Sequence, residues 1–97
     1  METGVAHTRP EPMNAALIER HIEPHPDPVK HGPAWYRLKE RGVPVYAVIG
    51  SLTPDRDNVD DVADAFGVSR DAVVAAIAYY DLHRSAIDAR LSSRHAA

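Results

Sequence analysis

The side chains of this 97-residue chain that could ligate a metal or move a proton are six histidines and a modest excess of acidic over basic groups, with no cysteine. His21, His25 and His31 lie close together, but their spacing is neither that of a helical His pair nor that of a zinc module, and no thiolate can complete a site. His7, His83 and His95 do not improve the set. We read all of them as ordinary surface or loop histidines and expect no metal. Ser51, Ser69, Ser85, Ser92 and Ser93 have no base at a recognisable spacing, and no glycine-rich run resembles a phosphate cradle. The aspartates fall on the polar faces of predicted helices. Caps and solubilising charges account for these groups, so no catalytic residue, cofactor or enzymatic activity is expected.

Anion recognition is the chemistry that remains. From Trp35 to Arg41 the chain alternates, with Trp35, Arg37, Lys39 and Arg41 on one face and Tyr36, Leu38 and Glu40 on the other. That ridge reads either as a solvated strand face or as a basic edge for phosphate or an acidic partner. Ser69 and Arg70, opening a long predicted helix, are the other candidate DNA contacts, followed on the groove-facing side by Asp71, Val74 and Ala75. Asp71 would repel phosphate. Beyond Asn58, Arg70, Arg84, Arg90 and Arg94 are outnumbered by Asp60, Asp61, Asp64, Asp71, Asp81 and Asp88. The segment reads as a DNA-binding unit or as a packing unit, and its charge favours packing.

The elements that must position these residues divide the chain into three parts. Residues 1–15 form a tail, without periodicity and with Gly4, Pro10 and Pro12, and Met13 is an alternative start. Residues 16–42 form a short β element with a Pro-rich loop. Ala16 to Glu23 alternates as a first strand, Pro24, Pro26 and Pro28 close it, and Trp35 to Arg41 is the second strand. A two-stranded sheet is marginal alone, so it must lie on the helices or join a second subunit.

Residues 43–93 form a helix-turn-helix core with a long C-terminal helix. Pro44 opens a helix with Val45, Val48, Ile49 and Leu52 at i, i+3, i+4 and i+7, and Pro54 ends the segment. Asn58 caps a second helix, whose stripe is Val59, Val62, Ala63 and Phe66. Gly67 is the left-handed stop and Ser69 the next cap. From Arg70 no Gly or Pro interrupts the chain, and Val73, Ala76, Ile77, Tyr80, Ile87 and Leu91 predict one helix of about six turns, on the order of 33 Å. Tyr80 continues the core stripe. Tyr79 points about 100° away and is either an interface aromatic or partly buried. Arg84 and Asp88 form an i, i+4 pair, and Ile87 and Leu91 carry an apolar edge past the small core. The far half of the helix should therefore lean on another chain, through Tyr79, Arg84, Ile87, Arg90, Leu91 and Arg94.

Composition bounds the function. A net charge of −3 argues against a strongly basic nucleic-acid scaffold, and a core drawn from 44% apolar residues is modest enough for a partner chain to help complete it, so a homodimer is expected. The lack of cysteine fits a reducing cytoplasm. No apolar run approaches the ~20 residues that cross a bilayer, and the N-terminus lacks the order of a signal peptide. A soluble, cytoplasmic protein is expected.

Val43 to Gly50, the Asp60 to Val68 helix and turn, and Arg70 to Val73 through Ala78-Tyr79-Tyr80 and His83 to Leu91 resemble the family called domain of unknown function 433. The similarity to its actinobacterial members covers Arg20 to Leu91. Where the more common members carry a glycine-rich stretch with Thr-Arg-Ile-Pro-Val, this chain reads Lys39-Glu40-Arg41-Gly42-Val43-Pro44-Val45. The resemblance implies a mainly α fold, with a homeodomain-like three-helix helix-turn-helix core and a short N-terminal two-stranded β element. It also implies a VapB-like antitoxin of a type II toxin–antitoxin pair, which neutralises a PIN-like ribonuclease toxin and can autoregulate its operon by binding operator DNA. The alternative is a stand-alone dimeric helix-turn-helix transcription regulator.

Overall fold

A computed structural model describes residues 12–96, so residues 1–11 of the expected tail, His7 among them, lie outside the described residues. Among the described residues there are five α-helices and one small antiparallel sheet. The order is α1 (Pro12–His21), β1 (Ile22–Glu23), a 3-10 turn (Pro33–Trp35), β2 (Arg37–Leu38), α2 (Val45–Ser51), α3 (Val59–Phe66), α4 (Arg70–Leu82) and α5 (Arg84–Ala96).

The segment expected to be a first strand is mostly helix. Asn14, Leu17, Ile18 and His21 are its partly covered positions, at i, i+3, i+4 and i+7, and Leu17 and Ile18 pack on the core. Two polar residues in that stripe hide its helical period, and Ala15-Ala16-Leu17 adds helix propensity. Only Ile22 and Glu23 remain extended, pairing with Leu38 and Arg37. The second strand is likewise shorter than expected. Trp35 closes the 3-10 turn, and Arg41 has a φ of 59° beside Gly42 at 64°, so Arg37, Lys39 and Arg41 do not share one strand face.

Local signals place α2, α3 and the start of α4 where the sequence expects them. Val45 and Val48 are buried, as are Val59, Val62 and Ala63. Gly67 is left-handed at φ 69°, and Ser69 Oγ accepts the Ala72 N–H at 3.1 Å. Asn58 stands at the cap position of α3, but its side chain braces the preceding loop. Its Oδ1 accepts from Thr53 N and its Nδ2 donates to Ser51 O.

The long C-terminal helix is two helices. His83 leaves helical geometry at φ −131°, ψ 37°, and α5 turns back against α2 and the 3-10 turn. Nothing in the local sequence breaks the helix there. The return buries Ile87 completely and sets Leu91 against α2, so the apolar edge expected to meet another chain is covered by this one. A Cβ at Gly50 would stand 3.1 Å from Leu91 Cδ2, so the glycine lets α5 approach. Arg84 pairs with Asp81 and not with Asp88, whose carboxylate instead accepts the Tyr80 hydroxyl at 2.8 Å.

The core converges on α4, which packs against α1, α2, α3, α5 and β1, most extensively against α1. Ala72, Val73, Ala75, Ala76, Ala78, Tyr79 and Tyr80 are buried, covering more than half of the helix circumference at about 100° per residue. Among the described residues no helix is long and apolar enough to cross a membrane. Ile87→Ala is expected to cost about 2–5 kcal/mol, read as a lower urea midpoint with the slope unchanged. A loss within the range of exposed surface substitutions would mean that α5 is not docked as described.

Candidate functional site

Four of the five expected DNA-reading residues, Arg37, Lys39, Ser69 and Arg70, have partners within the chain, and Arg41 is exposed. Arg37 Nε donates to Glu23 Oε2 at 2.8 Å across the β1–β2 pair. Lys39 Nζ donates to the Glu19 carbonyl at 3.0 Å. Arg41 lies over Gly67, with its Cδ 3.3 Å from where a Cβ would stand. Arg70 Nε meets Asp60 Oδ1 at 3.0 Å. Exposed pairs of this last kind contribute little to stability, but Asp60 and Asp71 stay beside Arg70 and would oppose a phosphate. Ala75, expected toward a groove, is fully buried.

Ser69 belongs to a clamp at the start of α4. Glu40 Oε1 accepts the Ser69 N–H at 2.8 Å, and Oε2 accepts the Ser69 hydroxyl at 2.9 Å while meeting His21 Nδ1 at 3.0 Å. One carboxylate therefore joins the end of α1, the turn after β2 and the N-terminus of α4, where the helix dipole also favours negative charge. These bonds, led by the Ser69 N–H, hold the Glu40 carboxyl below its usual range against the opposing effect of burial.

The expected partner-binding residues separate into inner and outer sets. Tyr79, expected either at an interface rim or partly buried, is 4% exposed. Its ring stacks on Tyr36 at 5.2 Å and lies 4.4 Å from His83, and its hydroxyl donates to the Pro33 carbonyl at 3.0 Å. Burial, with Tyr36 adding to it, pushes that hydroxyl's pKa far up. Ile87 and Leu91 belong to the inner set with Tyr79. Arg84 lies over the Tyr80 ring at 5.0 Å and is paired with Asp81. The Arg94 side chain lies outside the described residues.

Arg90 is different. Its guanidinium carbon stands 4.3 Å from the Trp35 ring centroid and 5.0 Å from that of Tyr46. It is in none of the ion pairs among the described residues, and its buried Nε meets no hydrogen-bond acceptor. Lys30 Nζ lies 5.5 Å from the same Trp35 ring and is likewise in no ion pair. Cation–π contacts contribute about 0.5–2 kcal/mol each, while a buried donor without an acceptor costs about 1–3 kcal/mol. The result is a planar, always charged donor fork held on a half-covered aromatic patch.

A cavity of about 160 Å³ adjoins the 3-10 turn, lined by Gly32, Pro33, Tyr36, Tyr79 and His83. Among the described residues no group of three or more His, Asp or Glu side chains is placed to hold a metal ion. The sequence reading names Arg90 among the partner-facing residues, and gives neither Trp35, Tyr46 and Lys30 as its neighbours nor Glu40 as a clamp. The lone tryptophan of the chain was the one available signal. Comparison with known protein families, with curated proteins and with solved structures returns no match to the chain.

Because the Glu40 carboxyl is depressed in the folded state, the clamp's contribution is present above the unfolded value and is lost as pH falls below about 4.5. Glu40→Gln is expected to lower Tm by a few degrees at neutral pH and to flatten the acid limb of a Tm–pH profile. Parallel acid limbs for the two proteins would contradict the clamp.

Proposed function

We propose that the chain is a non-enzymatic, VapB-like antitoxin of the domain of unknown function 433 type, which binds and neutralises a PIN-like ribonuclease toxin. In this reading α2, α3 and α4 are a homeodomain-like trio that serves as scaffold, and the partner is met at the other side of the chain. The observation that carries it is Arg90, set between Trp35 and Tyr46 and in none of the ion pairs among the described residues. Trp, Tyr and Arg are the residue types that dominate protein interfaces. A nuclease active site built of carboxylates is complementary to a half-covered guanidinium, whose fork can pair with a carboxylate bidentately.

The regulator reading has less support, because Arg37 and Arg70 are paired with Glu23 and Asp60 and α1 packs along α4. Operator binding would then require a second copy or the toxin to supply positive surface.

Expression together with the genes on either side, followed by native mass measurement, tests the proposal. A complex with a small nuclease-like neighbour is expected, weakened about tenfold or more by Arg90→Glu, which is ~1.4 kcal/mol or more, and unaffected by Arg70→Ala. A chain that stays alone but binds DNA with a steep salt dependence, lost in Arg70→Ala and Arg37→Ala, would favour the transcription regulator.

A further inference from the structure

The short turn Pro33–Trp35 connects two features. Pro33 lines the cavity with Gly32, Tyr36, Tyr79 and His83, and Trp35 lies under Lys30 and Arg90. Resting on the protein-partner reading above, we propose that this surface takes an extended acidic segment of the partner, with an apolar side chain in the cavity and a neighbouring carboxylate on Arg90.

The cavity sets the size of what enters. About 160 Å³ accepts one side chain and is well below the space of a drug-sized ligand. Its walls are three aromatic side chains and a proline, the kind of lining that reads extended, proline-containing segments. The Tyr79 hydroxyl is already satisfied by Pro33 O, so the cavity offers ring surface more than hydrogen bonds.

The charge sets what lies beside it. Lys30 and Arg90 are two like charges near one ring, and among the described residues neither is in an ion pair with a carboxylate. The rings hold the Arg90 fork in place, so little freedom is lost when it takes a carboxylate. A nucleic-acid strand would also bring negative charge, but at a density that two cations in a chain of net charge −3 do not match.

The single tryptophan makes the test direct, because all indole emission comes from Trp35. The full chain is titrated with a blocked hexapeptide Glu-Glu-Leu-Pro-Asp-Asp, with its counterpart carrying lysines at the four acidic places, and with a short single-stranded oligonucleotide. A saturable change in Trp35 emission is expected with the acidic peptide alone. Arg90→Lys, which keeps the charge and loses the fork, and Tyr36→Ala, which opens the cavity, are each expected to weaken it about tenfold, ~1.4 kcal/mol. Urea unfolding confirms that both variants fold.

No response to the acidic peptide, or an equal response to the basic peptide or the oligonucleotide, overturns the proposal. A co-expressed complex that is untouched by excess acidic peptide and by both substitutions also overturns it, while leaving the protein-partner reading in place. Failure to obtain any complex removes that reading and this one together.

Discussion

The structure depends on α4 being buried by neighbours on more than half of its circumference. Ala72, Ala75, Ala76 and Ala78 make this possible, since a surface of single methyl groups lets several backbones approach one helix. Val73, Tyr79 and Tyr80 then fill the space between α4 and the elements around it. The β1–β2 pair, too short to persist alone, rests on the same helix and is stable for that reason. The Glu40 clamp fixes the N-terminus of α4 to the end of α1 and to the turn after β2, so the two ends of the N-terminal half are tied to the centre.

This arrangement decides which surface is left for function. A helix that serves as the hub of its own chain has little perimeter to offer a groove in DNA. Arg37, Arg70 and Lys39 near it are held by Glu23, Asp60 and the Glu19 carbonyl. The turn of α5 at His83 has the opposite effect on the other side. By folding back, α5 brings Arg90 onto Trp35 and Tyr46, from parts of the chain far apart in sequence. The same return that buries Ile87 thus creates the aromatic and cationic patch.

What the sequence made legible was local. The stripes of α2 and α3, the left-handed Gly67 and the Ser69 cap each depend on residues within one or two turns, and all stand where expected. The helical state of α1, the length of β2 and the start of α5 depend on packing from outside each segment. Asn14 and His21 disguise α1, whose helical stripe is partly polar and whose burial comes from packing on α4. The bend at His83 has no glycine or proline to announce it and exists because Ile87 and Leu91 gain burial by returning. The full burial of Tyr79 is hidden from the local sequence for the same reason, since its cover is Tyr36, from the segment before β2, and His83 at the bend. Arg90 is legible as a partner-facing cation, but its aromatic setting is not, because its two rings lie on other elements.

The central claim is that the Trp35, Tyr46 and Arg90 surface, and not the exposed edge of α4, meets the macromolecular partner. Iodide quenching of Trp35 measures this most directly, because the anion is drawn to Lys30 and Arg90 and the ring is half-covered. In the free chain iodide should quench more strongly than neutral acrylamide. In the complex purified by co-expression the iodide quenching should fall several-fold, and saturating duplex DNA should leave it unchanged. Quenching that is the same in the complex as in the free chain, or protection by DNA as strong as that by the protein partner, would contradict the account.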